Sequence, residues 1–157
     1  IEGLIKTFTE NPQTIMARTA ETSDHVEQSV IKFKKDNKLD KLHTFLVSKN
    51  VEKALVFCDT KFATERLSDA LAARGFASDA MHGNKSQRQR QRALKNFQKG
   101  LVDVLVATDV AARGIDVDGV THVVNYDLPQ TYDDYTHRIG RTGRSGQMGY
   151  AVTFVKQ

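Results

Sequence analysis

Short apolar runs alternate along the chain with segments of helical period. LVFC (Leu55–Cys58), VDVLVAT (Val102–Thr108), VTHVVNY (Val120–Tyr126) and YAVTFV (Tyr150–Val155) are rich in β-branched residues and nearly uninterrupted. Strands covered on both faces look like this, because neither side of the pleat meets water. Weaker strand patterns run through Val26–Phe33 and near Ala77–Met81. Between the runs, Leu39, Leu42 and Leu46 share one face of a helix predicted from Asn37 to Lys49. Ala63, Leu67, Ala70 and Leu71 do the same from Phe62 onward, with Gly75 after Arg74 as the stop. Ser86 and Gln89 make a capping box that opens a helix running to Lys99, and Thr131 with Asp134 resembles a second, for a helix ending near Gly140. Strand alternating with helix predicts βαβ units, hence an α/β fold with a parallel sheet and helices on both faces. Residues 1–23 depart from this pattern. They read as a short helix carrying Leu4, Ile5 and Phe8, then a linker containing Pro12, the exit from an upstream domain.

Composition narrows the class. A chain of 157 residues with 39% apolar residues can bury the core of one domain, and with 27% charged residues and two prolines it does not read as disordered. A formal net charge of +4 leans toward an anionic partner. The single cysteine, Cys58, excludes a disulfide framework and a zinc cluster, and within ALVFC it reads as a small buried hydrophobe. There is no signal peptide and no apolar run long enough to span a bilayer, so the chain reads as soluble and cytoplasmic.

In parallel α/β sheets ligands gather at the carboxyl ends of strands. Three such ends are expected to carry polar clusters. Leu55–Cys58 leads into Asp59-Thr60-Lys61, and Val102–Ala107 into Thr108-Asp109 and then Ala111–Asp116. The third follows Val120–Tyr126 and its helix: HRIGRTGRSGQMG, His137 to Gly149. On the helix Ser86–Lys99, Arg88, Arg92, Lys95 and Lys99 share a face opposite Ala93, Leu94 and Phe97, either a solvated surface or an anion-facing one. Arg90 falls instead on the apolar side, one turn from Gln87. An unpaired buried charge costs several kcal/mol, so Arg90 needs either a phosphate near the helix start or an acidic partner across a packing seam. His82-Gly83-Asn84-Lys85-Ser86 is not a phosphate-binding P-loop, since Asn84 stands where glycine is required, and the five histidines show no metal-ligand spacing.

LVFCDTK at 55–61, HG at 82–83 with QRQR at 87–90, ATDVAARGID at 107–116 and YTHRIGRTGR at 135–144 together resemble, in order and spacing, the motifs of the C-terminal RecA-like domain of bacterial DEAD-box ATP-dependent RNA helicases. The resemblance covers residues 24–157, and residues 1–23 are similar to the end of the first RecA-like domain and the interdomain linker. It implies a RecA-like parallel β-sheet in a three-layer sandwich. It also implies that the P-loop, the D-E-A-D motif, and with them most of the hold on ATP and Mg2+, belong to an N-terminal domain, without which this domain should not turn over ATP.

By the same resemblance Arg141 and Arg144 reach the ATP phosphates, Arg144 as the arginine finger, while Asp116 bonds the ribose. His137, Arg138 and Arg113 serve the interdomain contact and its coupling. Thr60, Lys61, Gly83, Gln87, Arg90 and Thr108 contact the RNA sugar–phosphate backbone without reading bases. Local physics is compatible. The helix carboxyl end near Gly140 would repel phosphate, so binding there must come from guanidinium groups aimed by a glycine-rich backbone. Simpler roles stay open: a turn cap for Asp116 and a structural ion pair for Arg113. The expected partners are RNA, ATP and the N-terminal RecA-like domain, with no metal site of its own, no membrane, and a monomeric state. A DNA-directed motor of the same superfamily and a non-catalytic RNA-binding or scaffold module are the alternatives, the second disfavoured by the retained Arg141, Arg144 and Asp116.

Overall fold

The computed structural model describes residues 25–48 and 51–157, with 6, 8–11 and 13. In chain order the elements are β1 (Val26–Phe33), α1 (Lys38–Ser48), β2 (Ala54–Phe57), α2 (Lys61–Ala73), β3 (Ser78–Met81), α3 (Gln87–Gln98), β4 (Val104–Ala107), α4 (Asp109–Ala112), β5 (His122–Asn125), α5 (Tyr132–Ile139) and β6 (Gly149–Lys156). The strands form one parallel sheet in the order β1-β6-β5-β2-β4-β3.

The central strands β2, β4 and β5 are buried at every position, as their unbroken apolar runs require. The two weak strand patterns are the two sheet edges, and β1 shows the partial burial of an edge. On one face Ala54, Val56, Val104, Val106, Val124, Val152 and Phe154 pack against Leu42 and Leu46 of α1 and Leu67 and Leu71 of α2. On the other, Leu55, Phe57, Leu105, Ala107 and Val123 pack against Ala93 and Phe97 of α3, while Ala151 and Val155 meet Tyr135 and Ile139 of α5. These are the three expected layers. Phe8 joins the α5 cluster, fully buried and edge-on to Tyr135 at 5.5 Å. Leu4, Ile5 and Pro12 lie outside the described residues.

Hydroxyl caps start the helices. Thr60 accepts from the Ala63 amide at 3.1 Å, Thr131 from Asp134 at 3.0 Å, and Ser86 and Gln89 bond each other's backbone amides at 3.1 and 2.8 Å. The single turn α4, capped by Thr108, is too short to show a period in sequence.

One expectation is corrected. The segment His137–Gly149 reaches a carboxyl edge only at its start, where Arg138 meets Asn125, Asp127 and Asp109, and its loop Thr142–Gly149 does not. A crossover between parallel strands must carry the chain back to the amino edge before the next strand begins. α5 makes that return, so the glycine–arginine loop lies beside the amino ends of β5, β6 and β1. There the Thr142 hydroxyl donates to the Val120 carbonyl, and the Gly149 amide donates to His25 at 2.7 Å. Gly143 has φ +71°, and a Cβ on it would stand 2.7 Å from Val26 and 2.8 Å from the His25 carbonyl, so only glycine fits.

Candidate functional site

β2, β4 and β3 are neighbours, so Thr60, Thr108 and the His82-Gly83 turn lie side by side at the carboxyl edge. Lys61 bridges two of these loops, its Nζ donating to Asn84 Oδ1 at 3.3 Å. Glu65 holds the same turn against α2, bonding His82 Nε2 at 2.7 Å and Lys85 Nζ at 3.1 Å. The His82 bond above all, opposed by burial and reinforced by Lys85, keeps the Glu65 carboxyl below the usual range. Sequence reasoning missed Glu65, because a charged residue in the first turns of a helix looks like ordinary surface. Around Gly83 the space is open, and Gln87 is exposed. Arg90 is partly buried, and its Nε is sealed from solvent with no hydrogen-bond partner. No acidic side chain pairs with it among the described residues, so the seam ion pair does not form there.

Arg138 has a different environment from the other arginines of its segment. It is 1% exposed. Nε and Nη2 donate to the two oxygens of Asp109 at 2.7 and 2.6 Å, and Nη1 donates to the Asp127 carbonyl at 2.7 Å and to Asn125 Oδ1 at 3.2 Å. Its other flank lies over the Phe57 ring, 5.0 Å from the centroid. Forked donors matched to a carboxylate make this a rigid clamp between α5, α4 and β5. Arg138 therefore presents nothing to a neighbouring domain itself. Any coupling role passes through Asp109 and α5. Asp109 and Asn125 were missed, although Asp109 stands inside ATDVAARGID.

His137 and Arg113 are exposed and, with Asp134 and Arg141, line a hollow of about 50 Å³ above Phe57. No ion pair to Arg113 forms among the described residues. Arg141 Nη1 donates to the Ile115 carbonyl at 2.6 Å. Burial, and next the charge of Arg144, pull the Arg141 pKa down, while Asp116 opposes them. Arg144 Nη1 lies 2.6 Å from Asp116 Oδ1, and its Nε caps the helix end by donating to the Gly140 carbonyl at 3.0 Å. The Arg144 and Asp116 side chains are 38% and 83% exposed, so the pair is open to solvent and to exchange. The structure thus brings Asp116, Arg141 and Arg144 together, with Arg141 also lining the hollow beside Phe57 and Asp109. Among the described residues no three His, Cys, Asp or Glu side chains are grouped to hold a metal ion. No helix among them is long and apolar enough to cross a membrane.

Residues 34–146 match the helicase conserved C-terminal domain family. The ATP-dependent RNA helicase CshA of Listeria monocytogenes is 46% identical over 150 residues, which cover 95% of this chain and 29% of that protein. The chain therefore spans less than a third of that relative. The E. coli DEAD-box protein SrmB, solved bound to regulator of ribonuclease activity A, superposes with TM-score 0.80 at 36% identity over 83% of this chain and 78% of that one. S. cerevisiae Dbp5, solved bound to RNA and ADP BeF3, superposes with TM-score 0.77 at 33% identity over 86% of this chain and 36% of that one. With most of its length matched and its four motifs set on the strand ends and helices described above, this chain belongs to the helicase conserved C-terminal domain family, in its DEAD-box branch.

Proposed function

We propose that this chain supplies the C-terminal half of an ATP-dependent RNA helicase. The observation that carries the proposal is the cluster of Arg141 and Arg144, on a glycine-shaped loop, with Asp116: Arg144 and Asp116 are exposed, Arg141 is half-buried, and all three are held by exchangeable contacts. ATP, with its Mg2+, is held mainly by the N-terminal RecA-like domain. Mg2+ would supply charge neutralisation at the phosphates when bound. When the two domains close, Arg144 leaves Asp116 for the γ-phosphate and Arg141 supports it. An arginine finger is worth ~10³–10⁵ in rate, roughly 4–7 kcal/mol of barrier. Asp116, released, accepts from the ribose hydroxyls. His137 and Arg113, on the same exposed hollow, face the partner domain.

RNA occupies the carboxyl edge. Thr60, Lys61, Gly83, Gln87 and Thr108 supply hydroxyls, amides and one cation to the sugar–phosphate backbone, and a phosphate completes the orphaned Arg90. That the structurally similar Dbp5 is solved bound to both RNA and ADP BeF3 supports RNA and a nucleotide as the two ligands. Closure bends the bound strand and strips pairs from a short duplex. Hydrolysis reopens the cleft. Binding is sequence-independent and salt-dependent. We place the protein, as a monomer, in the cytoplasm with the bacterial RNA helicases it resembles.

In the full-length protein, Arg90→Ala should raise the RNA dissociation constant about tenfold or more, since a charged hydrogen bond is worth ~1.5–3 kcal/mol, and leave ATP affinity unchanged. An unaltered RNA dissociation constant would remove Arg90 from the track. Stimulation of ATP hydrolysis by RNA and not by single-stranded DNA separates this function from that of a DNA-directed motor.

A further inference from the structure

We propose that the outer face of α3 is a second RNA contact, which takes phosphates of the strand beyond the nucleotides bound at the carboxyl edge. This extends the RNA assignment above and rests on it. α3 contains no acidic residue. Arg88, Arg92, Lys95 and the C-cap Lys99 stand at i, i+4, i+7 and i+11 and share one face. At 1.5 Å rise per residue they are about 6, 4.5 and 6 Å apart along the axis, a run of about 16 Å. All four are exposed, and none enters an ion pair among the described residues.

Stability accounts for only part of this arrangement: Lys95 and Lys99 suit the carboxyl end of the helix, where the dipole favours cations, but the rest does not follow from it. Arg88 and Arg90 occupy the first turn, where the helix dipole favours carboxylates, and Arg88–Arg92 and Lys95–Lys99 are like-charge pairs one turn apart. α1 and α5 follow the opposite rule, with Asp40 and with Asp133 and Asp134 in their first turns. What holds α3 in place lies elsewhere: Ala93 and Phe97 in the core, the Ser86 capping box, and Lys53 Nζ donating to the Gln98 carbonyl at 3.2 Å. The cations of the stripe are not needed to hold α3, and Arg88 and the two like-charge pairs weaken the helix slightly.

The occupant follows from chemistry and position. The stripe starts beside Gln87 and Arg90, so a strand leaving the carboxyl edge runs onto it. Cations repeating about every helical turn suit the repeat of phosphates along an extended strand. The stripe holds no aromatic side chain that would anchor a protein partner, and no donor–acceptor pair that would read a base. It is a sequence-blind extension of the track.

The test uses the full-length protein with Arg88→Gln, Arg92→Gln, Lys95→Gln and Lys99→Gln combined. Glutamine keeps helix propensity and removes charge. Dissociation constants are measured for oligouridylates of about 6 and about 20 nucleotides across a salt series. The short RNA should bind wild type and variant alike. For the long RNA, the log–log salt slope of wild type should exceed that of the variant by about 3, from ~0.7 per phosphate contact, and the variant should lose affinity by tens-fold at low salt. Equal slopes and equal length dependence would overturn the proposal and leave the stripe to solvent or to an acidic protein. An equal loss on both RNAs would overturn it too, by placing these residues in the core track. If the wild type binds neither RNA, the RNA assignment itself fails and this extension falls with it.

Discussion

Arg138, Arg90 and Arg144 carry the same guanidinium into three environments. Arg138 is enclosed, with four hydrogen bonds to Asp109, Asn125 and Asp127 and a ring beneath it. Arg90 is half enclosed, with one nitrogen left without a partner. Arg144 is open and held by a single carboxylate and a helix-end carbonyl. Burial and satisfaction separate the structural arginine from the two proposed to take a ligand. Removing the partner of the enclosed one leaves an uncompensated buried charge. Asp109→Ala should therefore destabilise the domain by about 3 kcal/mol, the low end for a broken buried pair because the carboxylate side is partly exposed. Urea unfolding of the domain measures this, and a midpoint like that of wild type would mean that Arg138 finds water instead.

Elements differed in how plainly the sequence announced them. β2, β4 and β5 were legible because strands buried on both faces are apolar without interruption. The edges β1 and β3 were faint because half their positions meet solvent, and α4 was invisible because one turn has no period. The caps Ser86 and Thr131 were legible as chemistry, since a hydroxyl before a helical run has one common use, while the Thr60 cap was not read. The position of the glycine–arginine loop was not legible, because it follows from the direction of α5 and not from its own residues. β5 also contains a pH-sensitive contact. His122 is buried, stacked on Tyr150 at 5.1 Å and edge-on to Phe45 at 5.7 Å. Burial pulls its pKa below the usual imidazole value. The unfolded chain therefore binds the proton more readily than the folded one. Stability from this site is complete above about pH 6.5 and declines as pH falls from there toward the lower folded value. Urea midpoints measured from about pH 8 to about pH 5 should drop in wild type, and the drop should be smaller in His122→Gln. Parallel profiles would show that another group titrates.

Across the whole molecule one sheet carries both clusters proposed to meet ligands. Thr60, Thr108 and Gly83 crown its carboxyl edge, and Asp116, Arg141 and Arg144 flank the amino ends of β5 and β6. The Asp109–Arg138 clamp lies between them, joining the residue after Thr108 to the helix that ends at the finger loop. Sequence pattern alone did not sort HRIGRTGR into a buried clamp, a half-buried donor and an exposed one. Resemblance assigned roles to its arginines, but burial is a property of the fold, and three arginines at equal spacing look alike until α5 is docked. The central claim is that this domain contributes charge to ATP held by another. The most direct measurement is RNA-stimulated ATP hydrolysis by full-length Arg144→Ala. Turnover should fall by ~10³ or more, with RNA affinity and the unfolding midpoint unchanged. Wild-type turnover in that variant would contradict the account.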